Sequence, residues 1–172
     1  SQIQPVWRAD RPQRGRFREF YQCDVDTVGT DSPLADAECI AVVHDSLTAL
    51  GFTDFTIRVN HRQILRTLAV AIEAEDSETS MLQALDKLDK VGRNGVEKEL
   101  LERGFTGDQA HQLWRYLDGA EIPEASPYEH QLKTIVDLAL SMGVDPERVR
   151  IDRTLARGLD YYTGPVFETV LN

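Results

Sequence analysis

Residues 16–26 read RFREFYQCDVD, and the way this stretch alternates decides the fold. Odd positions hold Phe17, Glu19, Tyr21, Cys23 and Val25; even positions hold Arg16, Arg18, Phe20, Gln22, Asp24 and Asp26. Successive side chains of a strand point to opposite faces, so one face is largely apolar and the other polar with a single aromatic. Upstream, IQPVWRA (3–9) has extended character, and DRPQRG (10–15) supplies a proline and a glycine for a turn. The two segments together predict an antiparallel β-hairpin.

Working outward, the next element opens on a helix-start signal. Asp31 or Ser32 can cap it and Pro33 suits its first turn. Ala37, Ile40, Ala41, His44, Leu47 and Leu50 follow at helical spacing until Gly51 ends the run. His44 on that face reads as a packed core histidine. FTIRVN (55–60) predicts a further strand.

From residue 61 the periodicity is helical throughout, in HRQILRTLAVAIEAE, SETSMLQALDKLDKV, NGVEKELLERGF and GDQAHQLWRYLDG. The charges in DKLDK (86–90) and EKELLER (97–103) read as solvated faces with helical ion pairs. Trp114 and Tyr116 read as packing residues. EIPEASP (121–127) is a linker, followed by the helix YEHQLKTIVDLALSMG, the short strand RVRID (148–152), the stretch RTLARGLDYYTG (153–164) and a last strand over YYTGPVFETVL. The expected fold class is α+β: an antiparallel sheet with flanking helices in segments 1–60 and 121–172, interrupted by an all-α insertion over 61–120.

Composition narrows the function classes. Hydrophobic residues at 41% and charged residues at 28% describe a soluble globular protein. No run approaches the ~20 apolar residues of a membrane span, and no basic-then-apolar leader opens the chain. The expectation is a cytoplasmic protein without membrane contact. Cys23 and Cys39 fit no metal spacing and read as reduced, and the four histidines lie far apart in sequence, so no metal site is expected. P-loop, GxGxxG, CxxC and HExxH motifs are all missing from the sequence. The net charge of −10 argues against generic nucleic-acid binding, yet residues 1–20 carry five arginines against Asp10 and Glu19. A local arginine cluster in an acidic chain suits a specific anionic ligand, or a solvated basic hairpin.

Two places can carry chemistry. Arg8 precedes the hairpin turn, and Arg16, Phe20, Gln22 and Asp26 share one side of the strand after it. A guanidinium clamps phosphate, an aromatic face stacks a purine, and a carboxylate with an amide orients an amine or imidazole. The alternative is an ordinary solvent-facing sheet. In the second place, Arg157, Asp160, Tyr161 and Tyr162 put four hydrogen-bonding side chains into six positions. The alternative there is a turn at Gly158 running into an aromatic strand.

RTLARGLDYYTG closely resembles the histidine-specific signature of histidyl-tRNA synthetases. VWRADRPQRGRFREFYQCDVD resembles motif 2 of class II synthetases in its histidine-specific form. A helical insertion lies between these motifs in that family, and LDKLDKV and GVEKELLERGF resemble the insertion of its eukaryotic-like branch. The resemblance implies that Arg8 holds the ATP α-phosphate and the histidine carboxylate. It implies Asp10 near ATP, Arg16 facing the phosphates, Phe20 stacking adenine, Gln22 on the substrate amino group and Asp26 on the imidazole. Arg157 would approach the α-phosphate, while Tyr161 and Tyr162 line the histidine pocket from the strand.

The implied reaction is ATP-dependent activation of histidine to the adenylate, with Mg²⁺ on the outer phosphates, followed by transfer to tRNA(His). Motif 1, motif 3 and the anticodon-binding domain of the family are not matched in these residues. The chain is therefore expected to be a central fragment, inactive alone, of a homodimeric parent. Two relatives of another class are competing readings: the regulatory subunit of ATP phosphoribosyltransferase and the RNA-binding synthetase-like module of stress kinases. A bland α+β binding domain is a third.

Overall fold

The computed structural model describes residues 1–157 and 161–172. Strands β1 (Gln2–Trp7) and β2 (Glu19–Asp24) form the expected antiparallel hairpin, pairing Ile3 with Cys23, Gln4 with Gln22 and Val6 with Phe20. Beyond Trp7 the pairing continues through Arg8 N–H to the Arg18 carbonyl at 2.9 Å. A second sheet has the order β4-β3-β5, from β3 (Phe55–His61), β4 (Val149–Ile151) and β5 (Pro165–Leu171). β5 runs antiparallel to β3, whereas β4 runs parallel to it. Parallel neighbours need a long crossover, and five helices supply it.

Those helices are α2 (Arg62–Ala71), α3 (Glu78–Leu85), α4 (Leu88–Glu102), α5 (Gly107–Leu117) and α6 (Ser126–Ser141), with α1 (Pro33–Ala49) preceding β3. Ser32 caps α1 by accepting from the Leu34 N–H, as its sequence position predicts. Thr106 and Gln109 form a reciprocal capping box at the start of α5. Inside α4, Gly92 takes φ 69°, and the left-handed conformation breaks the helix after its first turn. α5 ends on Gly119 at φ 114°, which turns the chain so that Gly119 N–H reaches the Tyr116 carbonyl and Ala120 N–H the Arg115 carbonyl.

One hydrophobic cluster joins the sheet to the helices. It includes Ile40 of α1, Ile57 and Val59 of β3, Leu65 and Leu68 of α2, Leu82 and Leu85 of α3, Leu113 of α5 and Ile135 of α6. Trp114 is buried in it, as its packing role requires. His44 is mostly buried, tilted against Phe55 with 5.9 Å between ring centroids, and accepts at Nε2 from the Asp145 N–H. The other register of β3 is polar. Arg58 and Asn60 are buried on it, and Asn60 Nδ2 donates to the Arg153 and Leu155 carbonyls at 3.2 and 3.0 Å. This is how the central strand grips the start of the RTLARGLDYYTG stretch. Among the described residues, no helix is long and apolar enough to cross a membrane.

Candidate functional site

The hairpin brings some of the expected residues together, Arg8 with Phe20 and Arg16 with Asp10, while Arg16 precedes β2 and Asp26 follows it. The Arg8 guanidinium lies over the Phe20 ring, 4.0 Å from its centroid, a cation–π contact on the even-numbered face. Arg8 Nε also donates to the Phe17 carbonyl at 3.3 Å. Arg16 donates from Nε and Nη2 to one carboxylate oxygen of Asp10, at 3.0 and 2.8 Å. Gln22 donates through its amide to Asp24, two positions along the same face. The loop between β1 and β2 thus holds Arg8, Asp10 and Arg16 in a partly exposed, charge-paired cluster beside Phe20 of β2.

The odd-numbered face behaves differently from its composition. Trp7 is 69% exposed and Tyr21 75% exposed, because no described element packs over most of that face. Its far end is exposed as well, but borders the rest of the fold. There Cys23 and Val25 line an apolar cleft of about 420 Å³ with Cys39, Val42, Val43 and Leu47 of α1 and Thr169 of β5. Burial raises the Cys39 thiol above its ordinary range, and Asp36, Glu38 and Asp26 add to the rise. β2 ends at Asp24, so Asp26 lies past the strand whose alternation was expected to place it.

The signature stretch is held from several sides. Arg153 donates from Nη1 to the Tyr116 and Ala120 carbonyls at the end of α5, both at 2.8 Å, and from Nη2 to Glu129. Arg157 donates from Nε to Glu168 of β5 at 2.9 Å and from Nη1 to Asp86 at 2.7 Å. Tyr161 and Tyr162 meet edge to face at 5.1 Å, and Tyr161 is 82% exposed. They precede β5, so they project from the turn before the strand and not from the strand itself. Asp160, with Gly158, lies outside the described residues. No described hydrogen bond or ion pair joins Arg157 or the tyrosines to the hairpin cluster.

The structure adds residues that composition and spacing did not single out. Arg58, 6% exposed, donates to Asp89 at 2.7 Å, Asp152 at 2.8 Å and Thr154 at 3.2 Å, with Glu168 at 3.9 Å. Burial would pull the Arg58 guanidinium down, but the Asp89 bond and the Asp152 charge more than offset it and hold it above its ordinary value. Asp152 is pushed up by burial and brought below its ordinary range by its Thr154 hydrogen bonds and by Arg58.

The charges of DKLDK are accordingly not a purely solvated face, because Asp86 and Asp89 are partners of Arg157 and Arg58. The expectation holds better for EKELLER. There Arg103–Glu99 and Lys98–Glu102 are helical ion pairs, with Lys87 also on Glu99.

Among the described residues, no group of three His, Cys, Asp or Glu side chains could hold a metal ion. The arrangement is thus one of arginines, amides and aromatic faces, suited to binding an anion beside a planar ring.

Comparison with known proteins agrees with this chemistry. A family model described as histidyl-tRNA synthetase matches residues 3–172. The histidine–tRNA ligase of Cytophaga hutchinsonii is 45% identical over 187 aligned positions, covering 99% of this chain and 41% of its own length. That of Rhodopirellula baltica is 44% identical, over 99% of this chain and 42% of its own. The crystal structure of histidyl-tRNA synthetase from Nostoc sp. PCC 7120 superposes with a TM-score of 0.85 at 30% identity, covering 99% of this chain and 43% of that one. A Bacillus halodurans structure described as an ATP phosphoribosyltransferase regulatory subunit/histidyl-tRNA synthetase reaches a TM-score of 0.79 at 22% identity, a likeness of fold alone. The chain spans about two fifths of the length of the curated relatives it matches.

Proposed function

From the premise that this chain belongs to the histidyl-tRNA synthetase family, we propose that it supplies the substrate-facing hairpin and signature segment of a histidine–tRNA ligase. The activity is that of a whole protein of the relatives' length, in which residues 61–120 form a helical insertion of the eukaryotic-like type. The substrates are histidine, ATP and tRNA(His), and the parent is a homodimer acting in the cytoplasm.

The observation that supports this reading most directly is the shared even-numbered face, where Arg8 rests on Phe20 and Gln22 follows one register on. On this reading the histidine carboxylate attacks the α-phosphorus of ATP. The bond to the β-phosphate oxygen breaks, and histidyl-adenylate and pyrophosphate form. A terminal ribose hydroxyl of the tRNA then takes the histidyl group and AMP leaves. Charge developing at the α-phosphorus is met by Arg8 and Arg157, preorganised donors on separate elements. Phe20 receives adenine, Asp10 and Arg16 flank the phosphates, and Gln22 takes the amino group. Asp26, Tyr161 and Tyr162 meet the imidazole. Mg²⁺ enters with ATP, as part of the substrate.

The test is amino-acid-dependent ATP–pyrophosphate exchange in the protein extended to its relatives' length. Histidine alone supports exchange, because a site that pairs polar groups rejects ligands lacking them by about 10⁴–10⁵. Arg157→Ala lowers the rate by about 10²–10³. Exchange that is equally fast with another amino acid, or unaffected in Arg157→Ala, overturns the proposal.

A further inference from the structure

Three arginines stitch the signature segment and the central strand to the helical segment α2–α5. Arg58 of β3 reaches Asp89 in the first turn of α4, Arg153 reaches the carbonyls at the end of α5, and Arg157 reaches Asp86, just past the end of α3. The gap enclosed by Arg58, Asp86, Asp89, Thr154, Arg157 and Glu168 has a volume of only about 10 Å³. That is room for one water at most, so the seam is a packed joint and not a ligand pocket.

Within the joint, Arg157 is gripped on two of its nitrogens. Nε is held by Glu168 from β5 and Nη1 by Asp86 from the helices. A guanidinium is a rigid planar fork, so two acceptors on different atoms fix its position and its plane together. Among the described residues Nη2 has no partner, and it remains to donate elsewhere. Arg157 and Asp86 are 39% and 35% exposed at the side chain, and an ion pair that open to water adds little to folding. Its consequence is orientation.

We propose that Asp86 is a positioning residue for Arg157: from the helical segment, it sets where the guanidinium stands and which way its Nη2 edge points. This rests on the reading of Arg157 as the arginine that meets the α-phosphate. It also makes α2–α5 part of the active-site framework, because a shift of the α3–α4 junction moves the arginine with it.

Two measurements on this chain test the proposal. The first is nitrogen NMR of the Arg157 guanidinium, identified by the signals lost in Arg157→Lys. Wild type gives separate Nη1 and Nη2 signals, because rotation about the Cζ–Nε bond is blocked. Asp86→Ala merges them, while Asp86→Asn, which keeps an acceptor oxygen, leaves them apart. The second is calorimetric titration with ATP. Asp86→Ala weakens ATP binding about 5- to 10-fold, and Asp86→Asn stays within about 2-fold of wild type. Merged signals and weakened binding in Asp86→Ala, both rescued by Asp86→Asn, support the assignment. Unmerged signals in Asp86→Ala overturn it, as does ATP affinity within 2-fold of wild type. Tighter binding in both variants also overturns it, since Asp86 would then act only as a competing charge. A wild-type chain that does not bind ATP moves the titration to the protein extended to its relatives' length, where the same outcomes apply; absence of ATP binding there removes the phosphate reading of Arg157, and the NMR result then decides alone whether Asp86 places the guanidinium.

Discussion

Replacing Arg58 with methionine isolates the strongest electrostatic feature of the fold. Arg58 is 6% exposed and serves Asp89, Asp152 and Thr154 at 2.7, 2.8 and 3.2 Å. Methionine fills most of the space left by the arginine stem, so the cavity contribution is small. The large contribution is Asp152, which stays mostly buried and keeps only the exposed Arg150, at 3.5 Å, as a cation. Breaking a buried pair from one side costs about 3–5 kcal/mol. In a chain of this size that lowers the Tm by roughly 6–20 °C. The pH dependence carries the diagnosis. In wild type, Asp152 sits below its ordinary value of 3.8, so it adds stability above that pH, and the contribution is lost as the pH falls through its folded-state value. In Arg58→Met the burial and the Thr154 hydrogen bonds remain while the arginine is gone, so Asp152 rises and its charged form loses stabilisation. The deficit is therefore largest near neutral pH and shrinks below about pH 4. Urea unfolding followed by circular dichroism at pH 7 and at pH 4 reads both quantities. Adding Asp152→Asn recovers part of the pH 7 loss, because it removes the stranded charge. A loss under about 1 kcal/mol at pH 7, or an equal loss at both pH values, refutes the reasoning.

Two further outcomes follow from single residues. Burial lowers the His61 imidazole, partly opposed by Gln131, while Nδ1 caps α2 at 3.0 Å from the Gln63 nitrogen and the ring stacks on Tyr128. The unfolded chain therefore takes up the proton first, and stability present above about pH 6.5 falls as the pH drops below it. His61→Asn keeps a capping oxygen and removes this slope, so calorimetric Tm between pH 7 and pH 5 falls less steeply than in wild type; parallel curves would dismiss the assignment. Gly119→Ala forces a side chain into φ 114° at the turn that presents the Tyr116 and Ala120 carbonyls to Arg153. It costs about 1–3 kcal/mol by urea unfolding, and a change below about 0.3 kcal/mol would show that the turn relaxes without strain.

How much of this was legible beforehand depended on how local each signal is. The hairpin was readable because alternation in RFREFYQCDVD and a proline–glycine turn are both short-range, and the register pairs Val6 with Phe20 as the even face requires. Ser32, Pro33 and Gly51 marked the limits of α1 for the same reason. The partners of Arg58 were not legible, since Asp89 and Asp152 are 31 and 94 positions away and nothing in FTIRVN announces which residues will meet it. Asp86 and Asp89 were misread because DKLDK also fits a helical face; only the packing of the α3–α4 junction against β3 and the signature segment separates the two meanings. Tyr161 and Tyr162 were placed in a strand by their aromatic character, but β5 begins only at Pro165, where pairing with His61 of β3 starts.

The pairs that occupy the candidate site bear on how a nucleotide would bind there. Arg16 is held by Asp10, Arg8 lies on Phe20, Gln22 donates to Asp24, and Arg157 is shared by Asp86 and Glu168. On the proposed reading, ATP binds by exchange. Adenine takes the ring face that Arg8 covers, and the displaced guanidinium becomes available to the α-phosphate. Such exposed pairs contribute about 0–1 kcal/mol each, so undoing them costs little, while a phosphate offers the same arginines a bidentate acceptor of higher charge. Arg157 differs because its two carboxylates come from separate elements of a packed joint, and it can engage a phosphate through Nη2 without leaving them. On that reading the hairpin arginine is the mobile partner and the signature arginine the fixed one, and a reaction that needs charge delivered to one phosphorus from two sides would use both.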